Sequence, residues 1–455
     1  MCLLDNDLAH AQGPTIDPAF AIGRVYMPGL LRQAVQQADG KRLLVGTFSR
    51  VAGTDVPVAG YYNLARLLGS GTQLDVAFQA NVAGLQGELY QVLPLVGGKL
   101  LLLGLDAAAP FQLGGITRPG LMRLNADGTA DPTFDQGAIP AIAGARAAVE
   151  QPDGKLVVAG YALAGGTATD VLLRLNANGT TDASFQPSQS GGIGGSVEQV
   201  LLQPDGTIII SGPFATVQGQ PRRTLARLLP SGVLETSFNA ALPANTQAGS
   251  LALQADGKLL TLLGGNGSRQ LQRLLPTGAA DATWQPGTGF GGPSARYFGP
   301  LAVQADGNIL VSTSATLYNG VPIGRLVRLL PSGTLDASFA NQTVAPVAER
   351  YPLSVQALPT GQVLVAGQPL PYGSLAAQPV PLAVLAAGGA FQAAAAPAVQ
   401  QPGSVFDVAR LPNGQLLVGG DFTEINGQAR RLRGPAECQR HPGCYFRSGL
   451  QRRGA

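Results

Sequence analysis

The chain has 455 residues, with 62 Gly, 34 Pro, 13% charged residues and a formal charge of +3. Gly and Pro at this level, with no sustained 3.6-residue apolar period, exclude a helical protein, and no run approaches the roughly 18 apolar residues of a membrane-spanning helix. Five Arg against Glu437 give the last 23 residues a charge of +4, and Asp5 and Asp7 give the first 12 a charge of −2, so the rest is nearly neutral and carries no nucleic-acid footprint.

In chain order, residues 1–14 precede any regular pattern. Ala9-His10-Ala11 has the small-x-small form of a signal-peptidase site, but two Asp stand where an apolar stretch belongs. The segment reads as the remnant of a secretion signal, or as a plain N-terminal tail. Ile16–Phe20 then reads as an isolated closing strand, and turn glycines follow at Gly40, Gly98, Gly154, Gly206, Gly257, Gly307, Gly361 and Gly414, spaced 50–58 residues apart.

Val149–Phe185 shows what is repeated. A first hairpin turns at Pro152-Asp153-Gly154-Lys155 and a second at Asn176-Ala177-Asn178-Gly179, each using the residues such turns demand. The expected unit is four short strands with one apolar face, which only stacking can bury. At this period the expected architecture is an all-β β-propeller of about eight four-stranded blades, alternatively seven, spanning residues 15–432, with Ile16–Phe20 completing the eighth. The aromatics Phe78, Phe134, Phe185, Phe238, Trp284 and Phe339 recur once per copy and are expected to pack between blades.

The pattern of QPDGK, a hydrophobic run and GG, followed by RLN-x-DG-x-D-x-x-F, resembles the delta-60 repeat, a bacterial β-propeller repeat of unknown function. The resemblance implies an exported or cell-surface protein, often with a C-terminal sorting domain. The copy around Gly361 departs from the pattern: its second half is Ala-rich and lacks the Arg and Asp of the others.

Catalytic ingredients are sparse. The two His are His10 and His441, and the three Cys are Cys2, Cys438 and Cys444, all outside residues 13–432. Ser-His-Asp or Cys-His catalysis and a His/Cys zinc site are therefore excluded from the repeats. The expectation is no catalytic residue, no metal ligand and no cofactor.

Three repeated features invite a choice between function and architecture. The four Lys (Lys41, Lys99, Lys155, Lys258) each follow a turn Gly, as a rim of positive charge for an acidic ligand or as solvated turn caps. Asp127, Asp153 and Asp205 read as calcium ligands or, more simply, as turn residues. Arg66, Arg123, Arg174, Arg227, Arg273 and Arg328 are each followed by an acid 8 or 9 residues on (Asp75, Asp131, Asp182, Glu235, Asp281, Asp336), and the degenerate copy, with Val384, lacks both. Loss of both members together predicts cross-strand ion pairs.

Residues 433–455 break the pattern, with two Cys, one His and five Arg. A Cys438–Cys444 disulfide or a Cys/His metal cluster is one reading. The other is a one-base frameshift. Codons compatible with Gly434–Phe446, read one base later, permit Ala-Arg-Leu-Asn-Ala-Asn-Gly-Thr-Leu-Asp-Ala-Thr-Phe, nearly identical to Leu173–Phe185. On this reading the tail is aberrant and disordered.

The functional expectation is an exported or surface-exposed, monomeric, non-enzymatic binding or scaffolding module. Its ligand would be a protein or glycan, with no nucleic acid and no membrane span. The alternative is a carbohydrate-active propeller enzyme using loop carboxylates. Inter-hairpin segments such as Ala162–Asp170 are poor in acids and aromatics, which favours binding.

Overall fold

The computed structural model describes residues 25–56, 63–135, 142–164, 166–187, 191–240, 242, 247–265, 268–292, 298–339, 352–370, 380–393, 397–410, 416–422, 424–425, 428–429 and 445–447. His10, His441, the three Cys and Ile16–Phe20 lie outside them, as does every residue of the expected secretion signal. The chain divides into two compact units, Pro28–Gln400 and a second made of Met1–Met27 with Gln401–Ala455.

The larger unit repeats seven antiparallel three-stranded units in chain order, the fifth of them within a six-stranded sheet. The third is representative: Gly144–Glu150 pairs with Leu156–Ala164, which pairs with Thr167–Leu175. Between the first two strands, the seven turn glycines from Gly40 to Gly361 take φ of 77° to 84°, a left-handed conformation that costs glycine nothing. The first strands of the seven sheets are Leu30–Gln36, Leu89–Pro94, Gly144–Glu150, Gln199–Leu202, Gln247–Leu253, Phe298–Val303 and Pro352–Ala357.

Two expectations are corrected. The fourth strand does not form. After Thr181, which bridges to Leu175, the chain turns with the Phe185 N–H on the Asp182 carbonyl, because Asp182 Oδ1 accepts from both N–H and Oγ of Ser184. A side chain that satisfies the local backbone in this way displaces an extended conformation. In the first copy the same stretch is a short helix, Val76–Asn81, capped by Asp75. Ala162–Asp170 is not an open loop either, since the hairpin continues as far as the Ala164–Thr167 pair.

Consecutive sheets of the larger unit pack in chain order, and the seventh packs directly on the first. This contact joins residues 320 apart: Ala34 donates to Ser354 Oγ, which donates back to the Ala34 carbonyl, and Gln356 bonds Gln36 in the same reciprocal way. Each sheet-to-sheet interface has its own apolar cluster. Between sheets three and four, Val157, Ala159 and Phe185 meet Ile208, Ile210 and Leu228. Between seven and one, Leu364, Ala366 and Val384 meet Leu31, Leu44 and Leu67.

The repeat aromatics fill six of these seven interfaces, and all are buried, from 1% exposed for Phe78, Phe134 and Phe238 to 8% for Trp284. Their seat is shaped by the next copy's second turn. A Cβ on Gly128, Gly232 or Gly333 would come within about 3 Å of the Phe78, Phe185 or Trp284 ring. Trp284 also donates from its indole N–H to the Leu271 carbonyl, as a buried Trp requires.

In the second unit, Ser404–Arg410 and Leu416–Asp421 form the first hairpin of the eighth copy. Its third strand is Tyr445–Arg447, from the tail expected to be disordered. Arg447 stands opposite Leu417, the register at which Arg174 stands opposite Val157. The rest of the tail lies outside the described residues.

Candidate functional site

The Arg–acid pairs predicted from the repeat all form, with guanidinium-to-carboxylate distances of 2.7–2.8 Å. Each guanidinium lies 4.0–5.0 Å from the centroid of its own copy's aromatic ring. Each also donates to a backbone carbonyl of the next copy's second turn: Arg66 to Ala126, Arg123 to Ala177, Arg174 to Pro230, Arg227 to Pro276, Arg273 to Pro331 and Arg328 to Ala387. One Arg thus binds its strand partner, its aromatic and the neighbouring sheet. In the seventh copy this position is Val384, and the seventh-to-first interface uses Ser354 and Gln356 in its place.

The Lys residues do not make a free positive rim. Lys99 and Lys155 reach the carboxylates of the Arg pairs, at 2.6 Å from Asp131 and 2.9 Å from Asp182, while Lys41 and Lys258 hold Asp39 and Asp256. Burial alone would raise Asp131, but Lys99, Thr133 and Arg123 outweigh it and hold the carboxyl well below the usual range. The proposed calcium ligands are occupied as turn residues. Asp127 and Asp205 accept from the N–H and hydroxyl two residues on, and Asp153 accepts from the Lys155 N–H. Among the described residues no group of three or more acids, His or Cys could hold a metal ion.

The site lies where the sequence repeat is least regular. A cavity of about 660 Å³ is lined by all seven first strands of the larger unit. Six of these strands change register early: a single extra residue stands between Leu31 and Gln33, Leu89 and Gln91, Ala145 and Ala147, and Pro352 and Ser354, and two residues face one between Ala248 and Leu251 and between Phe298 and Leu301. Such bulges re-aim a side chain. At equivalent positions of the seven strands the residues are Arg32, Tyr90, Arg146, Glu198, Gly249, Gly299 and Leu353, so this register differs from copy to copy.

In four of the strands the next residue ties the wall together. Gln33 exchanges hydrogen bonds with both backbone groups of Val92, Gln199 accepts from the Leu251 N–H, Ser250 donates to the Gly299 carbonyl, and Ser354 bonds Ala34. The variable side chains stand on this braced ring. Arg32 stacks on Tyr90, its guanidinium carbon 3.7 Å from the ring centroid. Arg146 pairs with Asp170 at 2.6 Å and donates to the Gly160 carbonyl. Asp170 would be raised by burial, yet the Ser196 hydroxyl and Arg146 keep it below the usual carboxylate range. Glu198 is exposed on the cavity wall, and its carboxylate has no partner among the described residues. No sequence motif marked these residues; the only available signal was irregularity within otherwise alternating strands.

Comparison with known proteins agrees with this architecture. Residues 98–134, 151–185, 203–238, 304–339 and 411–432 match the profile of a β-propeller domain of unknown function (DUF5122). The first four stretches end on the repeat aromatics, and the chain is an all-β β-propeller. No curated protein matches the sequence. Among solved structures it is similar to a puromycin hydrolase, with a TM-score of 0.48 and 18% identity over 88% of this chain and 58% of that one. It is also similar to virginiamycin B lyase from Staphylococcus aureus, with a TM-score of 0.44 and 10% identity over 75% of this chain and 95% of that one. A third likeness is to a gluconolactonase from Xanthomonas campestris, with a TM-score of 0.33 and 14% identity over 88% and 95%.

Proposed function

We propose that the chain is an exported or surface-exposed seven-bladed β-propeller that works as a rigid binding module, holding a ligand in the central cavity of Pro28–Gln400 without transforming it. The observation that carries this reading is the convergence of seven first strands on a cavity whose wall is braced by hydrogen bonds between sheets and whose lining side chains differ from copy to copy. A repeated frame with a varied lining separates scaffold from recognition, and a pocket of this size suits a small molecule or the end of a larger one. Glycoside hydrolysis needs two carboxyl groups across the scissile bond, and Glu198 is the one acid among the described lining residues.

Export rests on Ala9-His10-Ala11 and on the repeat's resemblance to surface proteins, and cell fractionation tests it directly. For the activity, the full chain is screened on a glycan array beside a panel of hydrolase substrates. Retention without turnover is the expected result; turnover of any panel substrate would replace the binding module with an enzyme.

A further inference from the structure

We infer that the outer edge of the third sheet is a second binding site, which takes a single extended peptide segment onto the backbone of Asp170 and Leu172. The site is separate from the central cavity and does not depend on the binding reading above.

The chain carries this edge in a closed and an open form. Between the fifth and sixth copies, Ser268–Leu274 pairs through Arg269 with Phe290, Phe290–Gly291 pairs with Leu317–Tyr318, and that strand pairs with Val321–Pro322, which makes one six-stranded sheet. The third and fourth copies have the same parts: Ile193–Gly195 pairs with Phe214–Val217, and that strand with Gln220–Pro221. Alignment of Arg174 with Arg273 puts Asp170 at the position of Arg269, and Ile193 pairs with Val217 as Phe290 pairs with Tyr318. Asp170 and Ile193 do not pair, so here the sheet is in two pieces. Both residues line a cavity of about 340 Å³.

This cavity follows the strand edge. Val171, Leu172 and Leu173 form one wall; Leu172 packs into the cluster between sheets three and four, whereas Val171 and Leu173 pack into that between sheets two and three. Residues of both strand faces therefore border it. Backbone groups that point away from a hairpin partner belong to alternate residues. Arg174 is one of these, since its carbonyl accepts from the Asp182 N–H, and Leu172 and Asp170 are the next two. In the fifth copy the equivalent Leu271 carbonyl accepts the Trp284 indole N–H. Phe185 has no such donor, and the outward N–H and C=O of Leu172 and Asp170 have no partner among the described residues.

Unpaired edge groups are a template for another strand. The opposite wall decides what kind of strand. Pro187, Ile193 and Val197 stand across from the edge, which shuts out the sheet of a folded partner, with further strands behind its own edge, but admits one extended segment. Gly191, Gly192 and Gly195 in that wall let a backbone come close. The lining is apolar except for Asp170, whose carboxylate is taken by Arg146 and Ser196. The segment that fits is uncharged, with apolar side chains at alternate residues.

The test uses the full chain and a panel of capped peptides about six residues long, Thr alternating with Val, Ile, Leu, Phe or Tyr, each also N-methylated at one or the other set of alternate residues. Fluorescence anisotropy reads binding, and residue-resolved hydrogen exchange reads its place. At least one peptide is expected to bind, and one of its two N-methylated forms to bind about tenfold or more weakly. The Asp170 and Leu172 amides, fast in the free chain, should slow at saturation. Binding by no peptide, indifference to both N-methylations, or protection that leaves Asp170 and Leu172 fast would overturn the inference. Slow exchange of these two amides in the free chain would also overturn it, and a dimer on sedimentation of that sample would assign the edge to a second copy.

Discussion

Arg174 donates from Nη1 to the carbonyl of Pro230, 56 residues ahead in the next sheet, while its Nε holds Asp182 within its own hairpin at 2.8 Å. The same guanidinium therefore closes one hairpin and fastens the following one. Both side chains of the ion pair are only 10% exposed, so solvent screening is modest. Breaking a buried pair leaves an uncompensated charge, and Lys155 beside Asp182 softens that cost. Arg174→Met is expected to destabilise by about 3 kcal/mol, well above the 0–1 kcal/mol of a surface pair. A double-mutant cycle with Asp182→Asn measures the coupling; additivity would show that the pair contributes nothing of its own.

Removal of one repeat aromatic should weaken a whole interface. Phe238 is 1% exposed in the cluster joining sheets four and five, where it contacts the Leu259 and Leu274 region of the next sheet. Phe238→Ala should cost about 3–5 kcal/mol. Chemical denaturation is the readout, and a cost below about 1 kcal/mol would mean that the interface collapses around the missing ring.

The buried carboxylates set the acid limit. Asp281 is lowered to about 2, chiefly by the Thr283 hydroxyl, against opposing burial, and further by the Thr283 N–H and the Arg273 guanidinium. Asp131 and Asp182 are also depressed, Asp182 first by Lys155. A depressed carboxylate stabilises fully above its unfolded pKa of about 4, and that stability is lost as pH falls through the folded value. Stability should therefore fall from about pH 4 toward pH 2, and Asp281→Asn should make the fall shallower. An unchanged slope in acid titration followed by circular dichroism would contradict this.

Gln151 is 7% exposed, and its amide oxygen has no donor among the described residues. In the fourth copy Thr207 donates to the equivalent Gln203, and in the second and seventh copies the position is Leu95 and Leu358. Gln151→Leu is expected to leave stability unchanged or raise it by about 1 kcal/mol, because it removes a buried polar atom along with its need for a partner. A loss of more than about 1 kcal/mol in thermal unfolding would show that the amide is satisfied in solution.

Resequencing of the locus tests the frameshift proposal for residues 433–455. The expected DNA encodes, one base out of frame, a second hairpin resembling Leu173–Phe185. A verified sequence that does not would leave Tyr445–Arg447 as the native third strand of the eighth copy.

The sequence made legible whatever every copy repeats. Phe185, Arg174 and Asp182 recur at fixed spacing because each interface needs the same wedge and the same clamp, and loss of both Arg and acid in the degenerate copy pointed to their contact. Strand number was misread because Asp182 followed by Ser184 looks like the end of a strand, whereas its carboxylate makes a turn. Counting turn glycines gave the copies but not which of them close on one another, a matter decided by Ser354 and Gln356 against Ala34 and Gln36. The cavity residues were hidden for the opposite reason: Arg32, Tyr90, Arg146 and Glu198 share a position without one common chemistry, so comparison of copies averages them away.

The most direct test of the binding-module account is titration of the full chain with the tightest ligand found on the array, in wild type and in Leu353→Trp, which narrows the cavity, with the ligand analysed chemically afterwards. The account predicts saturable binding, ligand recovered unchanged, and loss of binding in Leu353→Trp at an unaltered melting temperature. Conversion of the ligand, or equal binding after the cavity is narrowed, would contradict it.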